Sequence, residues 1–341
     1  MRAPSSVLAC LIAVFLFALL PEISCNHSGT KGHGGDSTET ARSMVVPPDF
    51  NADSAYNWVA AQVAYGPRIP NTPPSTQCGN WLSAKLKQYC NQVEDEVTQV
   101  KIYNGQLVSC HNITASFNPE NKKRILLFTH WDTRPWSDQD ASEKQKTFDG
   151  ADDGGSGTAI LLELARILKD KPCGVGVDIL LEDVEDYGPP YFEPGKWKED
   201  DAYCLGTQYW CHAHEKKYNA YYGILLDMVG ARDSKFYLEW SSMQYAPAVM
   251  QDIWNSARVA GFGSYFISQQ TEHGVIDDHK YVNEILHIPA IDIIAMDLGS
   301  KTTFARHWHT QQDNMQVIDR ATLKAVGQTL LQVLYNEPAA F

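Results

Sequence analysis

The chain is 341 residues long, 44% apolar and 20% charged, with 28 Lys+Arg against 41 Asp+Glu and a formal net charge of −13. This profile excludes a disordered chain and argues against a nucleic-acid partner, since phosphate contacts need a basic footprint. Nine Trp, 16 Tyr and 12 Phe supply material for a core and for pocket walls, and the length suits one large α/β domain or two small ones.

Arg2 precedes an apolar run at residues 7–20. The run is shorter than the about 20 residues a bilayer span needs and fits the apolar part of an export signal. Cys25 follows Ile23-Ser24 and opens a polar stretch rich in Gly, Ser, Thr and His. Residues 1–25 are therefore expected to be an export signal. Two readings stand level: a lipoprotein signal with Cys25 lipidated, or plain secretion, with Glu22 standing where a lipobox usually has Leu. Residues 26–44 are expected to be a flexible tether and residues 45–341 the folded domain, lying outside the cytoplasm and touching a membrane only through a lipid on Cys25.

In chain order, residues 53–65 and 80–93 read as helices, the second with Trp81, Leu82, Leu86 and Tyr89 as its apolar set. Residues 124–129 form a short continuous apolar run, the mark of a buried strand. An amphipathic helix follows at 156–169. Residues 175–181 and 222–226 are further buried strands, and 236–240 a fourth. Residues 247–260 are helical, 279–286 can form a helix with an Asp of the Asp277-Asp278 pair at its N-cap, 288–294 is a buried strand, and 319–335 a closing helix. Buried strands alternating with helices predict a single α/β domain, its sheet mixed but mostly parallel and flanked by helices.

Cys78, Cys90, Cys110, Cys173, Cys204 and Cys211 lie in the folded part, an even count that permits disulfides in an exported chain, although sequence cannot choose the pairing. Cys204 and Cys211 are near enough in sequence to invite a local bridge. With His212 and His214 they also resemble half of a small zinc knot, but no matching pair stands nearby. Asn112-Ile113-Thr114 is a glycosylation sequon, idle in a bacterial chain.

Each buried strand runs into a polar cluster: His130-Trp131-Asp132, Glu185-Asp186, Asp227, and Asp297 with His307-Trp308-His309 further on. Ligands of open α/β sheets bind at the carboxyl ends of the strands, so four distant clusters are expected to converge. A fifth element, the Gly-rich turn at residues 150–157, opens the amphipathic helix. It is neither a phosphate-binding loop nor a dinucleotide fingerprint, and Thr158 breaks the nucleophile-elbow pattern around Ser156. Its glycines let the backbone approach an ion closely, which makes Asp153 a candidate metal ligand. Asp, Asp/Glu and His together favour zinc with an open position. Glu185 and Asp186 point different ways as neighbours, so one can hold a metal while the other faces substrate.

In order, His130-x-Asp132, Gly150-Ala151-Asp152-Asp153, Glu185-Asp186, Leu225-Leu226-Asp227 and His309-Thr310 resemble the metal-site motifs of the zinc aminopeptidase-like (M28) superfamily. Val275-Ile276-Asp277-Asp278-His279, Trp308 with Phe304, and the segment after Leu225 are similar to its glutaminyl cyclase branch, bacterial type. What this resemblance implies is conversion of N-terminal glutaminyl residues of peptides and proteins to pyroglutamyl, with loss of ammonia. It implies one Zn2+ on Asp153, Asp186 and His309, Glu185 as acid/base supported by Asp227 and Asp277, and a pocket walled by Trp308, Phe304 and Trp197. His130 and Asp132 become network residues or, in a two-zinc aminopeptidase, His130 and Asp227 hold the second metal. That peptidase is the rival reading, and a binding protein on a degenerate hydrolase scaffold is a further one. The chain departs from the family in having Asp186 where Glu is common, and Thr129 where some secreted cyclases have a disulfide cysteine. Oligomeric state is not legible.

Overall fold

The computed structural model describes residues 44–196 and 201–338. The expected export signal and most of the tether, and the pocket residue Trp197, lie outside the described residues.

The first helix, α1 (Ala52–Val63), starts where Asn51 accepts a hydrogen bond from Ser54 N–H at 3.0 Å. The second, α2 (Pro73–Tyr89), begins seven residues before the expected start. Its entry signals are Thr72 as cap and prolines in the first turn, where a missing N–H costs nothing. It also ends early, because Cys90 is extended and residues 92–93 already belong to a strand. That strand, β1 (Gln92–Lys101), pairs antiparallel with β2 (Leu107–Phe117) from Gln92↔Ser116 to Lys101↔Leu107. Neither strand was expected, since β1 (QVEDEVTQVK) is a charged, largely exposed edge strand without an apolar run.

The other sheet strands are β3 (Arg124–His130), β4 (Gly176–Glu182), β5 (Tyr222–Asp227) and, last in the sheet, β8 (Ala290–Ile294), all close to their expected positions. The sheet order is β1-β2-β4-β3-β5-β8, with β4, β3, β5 and β8 mutually parallel. Side chains alternate across it. Ile125, Leu127, Ile179, Leu181, Ile224 and Leu226 face one core, and Leu126, Phe128, Leu180 and Leu225 face another.

The first core is covered by α1, α2, α3 (Gly155–Asp170) and α8 (Arg320–Asn336), the second by α4 (Leu205–His214) and α7 (Asp278–Leu286). α3 was expected to be amphipathic but is buried almost all round, because α1, α2 and α8 close over its outer side. Residues 236–240 depart further from expectation. Only Phe236–Leu238 form a strand, β6, which pairs with β7 (Phe266–Gln270) in a separate two-stranded sheet. Trp240 instead opens α5 (Trp240–Tyr245), ahead of α6 (Pro247–Val259).

The six cysteines among the described residues are all free. The invited Cys204–Cys211 bridge is ruled out by geometry: the two sit at the cap and near the end of α4, about 10 Å apart along the axis at 1.5 Å per residue, beyond disulfide reach. The sequon is closed as well, since Asn112 is buried and bonded to Gly206 O and Asp183 N. Among the described residues no helix is long and apolar enough to cross a membrane.

Candidate metal centre and active site

The parallel strands β3, β4 and β5 end together, and the predicted residues meet there. β3 delivers His130, whose Nε2 lies 3.1 Å from Asp153 Oδ1 and 3.3 Å from Asp227 Oδ1. Asp153 arrives on the glycine turn. Gly154 has φ +79°, and a Cβ there would fall 2.5 Å from Asp132 O and 3.0 Å from His130 Cε1. The turn is further fixed from outside. Asp313 accepts the N–H groups of Asp152 (2.7 Å) and Asp153 (3.1 Å), while the Asp152 carboxylate accepts from Gly230 N–H (2.7 Å) and His307 Nε2 (2.8 Å).

Beyond β4 the chain makes a sharp turn with Val184 at φ +57°, an uncommon conformation for a β-branched residue. Asp132 clips this turn by accepting Glu185 N–H at 3.1 Å and Asp186 N–H at 3.4 Å. The two side chains consequently diverge. Asp186 Oδ2 lies 3.1 Å from His309 Nε2, which is 3.5 Å from Asp153 Oδ2. Glu185 turns to the pocket and meets Cys204 and Asp277, whose ligand atoms and its own all lie within 4.8 Å of one another. Asp277, expected to support Glu185, is on that side. Asp227, also expected to do so, forms its hydrogen bond with His130 instead.

Two triads of metal-binding atoms thus share Asp153: Asp153, Asp186 and His309, and His130, Asp153 and Asp227, each within 4.8 Å. The first fits a cation. Asp153 Oδ2 and Asp186 Oδ2 are buried with no hydrogen-bond partner, a costly arrangement unless a charge faces them. Burial alone would hold His309 neutral, but Asp186 and Asp138 raise its pKa to about 9, so positive charge is favoured at this spot. His307 rises likewise to about 9 against its burial, through Asp152. Burial, with Asp186 beside it, pushes the Glu185 carboxyl well above its usual range. Asp227 rises to about 6, mainly through burial.

The pocket has a volume of about 390 Å³ and is lined by Glu185, Asp186 and His309 at its base and by Tyr191, Phe304, Trp308 and Ile276 on its walls. Trp308 stacks on His309 at 3.9 Å between ring centroids and leans on Phe304 at 4.6 Å. Of the three expected aromatics, Trp308 and Phe304 therefore stand at the site. Tyr191, 6.1 Å from Trp308, was not foreseen.

Arg134 was missed entirely. It is fully buried and donates to Asp138 at 2.7 Å, to Asp186 Oδ1 at 3.2 Å and to the carbonyls of Asp186 and Pro189. Tyr191, Tyr203 and Trp136 surround its guanidinium within 6 Å. The sequence offered one signal, an Arg two residues after a strand-end Asp. Glu239 was missed too. Its carboxylate accepts from Ser241 N–H, Ser242 N–H, Ser242 Oγ and Val275 N–H, and so ties down the loop that carries Ile276 and Asp277.

Burial would raise the Glu239 pKa, but His279 and these donors outweigh it and lower it to about 2 from 4.5. A depressed carboxylate stabilises the fold above its unfolded pKa, and the contribution is lost as pH falls through the folded value. Acid unfolding of the wild type should therefore include a Glu239 contribution of about 3 kcal/mol, disappearing between about pH 4.5 and pH 2. Glu239→Gln should be less stable at pH 7 and lose less on acidification. Parallel stability curves for the two proteins from pH 6 to pH 2 would contradict this assignment.

Mixed α/β topology with carboxylates and histidines gathered at the parallel strand ends defines the class: a metal-dependent enzyme scaffold of aminopeptidase type. The chain belongs to peptidase family M28, whose sequence model matches residues 112–334. Among solved structures it is similar to the glutaminyl cyclase of Bacteroides thetaiotaomicron bound to N-acetylhistamine, at 46% identity and TM-score 0.83, covering 86% of this chain and 100% of that one. A Zn-dependent exopeptidase from Parabacteroides distasonis is 49% identical, with the same coverage and TM-score. The glutaminyl-peptide cyclotransferase of Gloydius blomhoffii is 26% identical over 252 residues, 66% of this chain and 65% of that protein. Aminopeptidase YwaD of Bacillus subtilis is 25% identical over 255 residues, 72% of this chain and 48% of that protein. The chain thus matches about half to two thirds of the length of these curated relatives.

Proposed function

We propose that the protein is a zinc-dependent glutaminyl cyclase, closing the N-terminal glutaminyl residue of peptides and proteins into pyroglutamyl with release of ammonia. The observation that carries this reading is Glu185: a half-buried carboxyl of raised pKa, beside the Asp153–Asp186–His309 triad and facing a narrow aromatic pocket. Similarity to the Bacteroides thetaiotaomicron cyclase and to the Gloydius blomhoffii cyclotransferase supports it.

Asp153, Asp186 and His309 would hold a single zinc. When bound, the ion supplies Lewis-acid polarisation of the substrate γ-carbonyl and stabilises charge on its oxygen. Trp308 and Phe304 fold the glutaminyl side chain so that its α-amine meets its own γ-carbon, an orientation gain, and their apolar faces keep water out. Glu185 takes a proton from the attacking amine as the new C–N bond forms. It then returns that proton to the amide nitrogen as the old C–N bond breaks, and ammonia leaves. Asp277 lies close to the Glu185 carboxyl and is read as its support. We also read residues 1–25 as an export signal, which places the reaction outside the cytoplasm.

A second reading is favoured by one observation, the His130–Asp153–Asp227 triad. Filled by a second metal, it would make a peptidase in which Glu185 activates water. The mass of a Gln-initiated peptide incubated with zinc-loaded protein separates the two. A loss of about 17 Da, one ammonia, without shortening is expected, together with one zinc per chain by elemental analysis. Release of a free N-terminal amino acid with two metals per chain would replace the cyclase by the peptidase.

A further inference from the structure

Cys204 has no part in the chemistry above. It is fully buried, and it caps α4 in the left-handed region, at φ +56°, a conformation that is costly for a residue with a Cβ. The strained geometry turns three groups toward the acid/base segment. Cys204 N–H donates to Glu185 C=O at 2.9 Å, Leu205 N–H donates to Val184 C=O at 3.1 Å, and Cys204 Sγ–H donates to Glu185 Oε1 at 3.3 Å. Two residues on, the chain allows no retreat, since a Cβ on Gly206 would fall 2.0 Å from Asp183 O. Asp277 completes the cluster, but its Oδ1 is committed to Asp278 N–H at 2.7 Å.

We propose that Cys204 is a positioning residue for Glu185, its S–H holding one carboxyl oxygen in place so that the other faces the substrate. The inference rests on the reading of Glu185 as acid/base. A thiol suits the task because it is a weak donor. A strong donor would stabilise the carboxylate and blunt its basicity, whereas a weak one fixes direction while leaving the oxygen free to exchange its proton. The thiol is buried and hydrogen-bonded to this carboxyl, with Asp278 as a second carboxylate in its reach, and the constraint can be removed without touching a metal ligand.

Two measurements test this. The S–H stretching band of Cys204, isolated as the infrared difference between wild type and Cys204→Ser, is expected at lower frequency than that of a free thiol and should shift upward in Glu185→Ala. An unshifted band in the wild type overturns the proposal, and this readout needs no turnover. In the cyclisation assay, Cys204→Ala should lower kcat about fivefold, the worth of one ordinary hydrogen bond, with KM and bound zinc unchanged. Cys204→Ser keeps the direction but donates more strongly, and should recover only part of the loss. Equal losses in Ala and Ser, or a loss that appears in KM or in zinc content, would make Cys204 a packing residue only. Absence of cyclisation in the wild type itself, with the band shifted as expected, would count against the cyclase reading and leave the Cys204–Glu185 pairing standing.

Discussion

Glu185→Gln should abolish cyclisation, lowering kcat by about 10²–10⁴, while the protein keeps its zinc and its fold. The amide preserves the size of the side chain and an oxygen for Cys204 to donate to, but it cannot carry a proton from the α-amine to the leaving nitrogen. Metal binding is spared because the divergence of Glu185 from Asp186 is set by the backbone clip on Asp132 and not by the Glu185 carboxyl. Stability gives a second, independent sign. Burial and Asp186 raise the Glu185 pKa in the folded, metal-free chain. A raised carboxyl opposes folding once pH exceeds its unfolded value, so at neutral pH the zinc-free Gln variant should be at least as stable as the wild type. Turnover within threefold of wild type, at equal zinc content, would remove Glu185 from the mechanism.

The largest effect on stability is expected from Arg134→Met. Arg134, Asp138 and Asp186 are almost wholly excluded from water, and the guanidinium is the permanent cation that both carboxylates face. Replacing it by an apolar side chain of similar length leaves two buried carboxylates with His309 alone as counter-charge, a loss of typically about 3–5 kcal/mol. Denaturant unfolding of the zinc-free variant reads that loss directly. Arg134→Lys should recover only part of it, because a point charge cannot reproduce the fork that reaches Asp138, Asp186 and the Pro189 carbonyl at once. A loss below about 1 kcal/mol, the worth of a surface pair, would show that Asp138 and Asp186 do not depend on this cation.

The sheet centre was readable in the sequence because the runs 124–129, 175–181 and 222–226 are buried on both faces and carry no polar alternation to confuse them. The edge was not. β1 meets water along most of its length and reads as a charged segment; it is a strand because β2 offers it ten consecutive pairings. The same divide runs through the site. Asp153, Asp186, His309 and Glu185 could be located because each stands next to a strand or a glycine turn with a local signature. Asp313 acts through Asp152 and Asp153, far away in the chain. Arg134 and Glu239 join near partners, Asp138 and Ser241-Ser242, to distant ones, Asp186 and Val275, and no local pattern encodes the distant half. Asp227 shows the limit of motif reasoning from the other side: its strand-end position was right, but its nearest partner is His130, a choice made by the packing of two neighbouring strands.

The glycine turn that carries Asp153 is held by groups from the far end of the chain. Asp313 grips its N–H groups across 161 and 160 residues of sequence, and His307 grips Asp152 across 155. His309, from the same late segment, supplies the third atom of the triad. Closing so long a loop is entropically expensive and slow compared with forming α3 or the strands. Nothing resembling the triad can exist until residues 307–313 have been made and have folded back onto the turn. Metal acquisition is therefore a late event in the life of each molecule, coupled to completion of the fold. A chain shortened before residue 307 would keep most of its sheet sequence but could assemble neither the triad nor the braces around it.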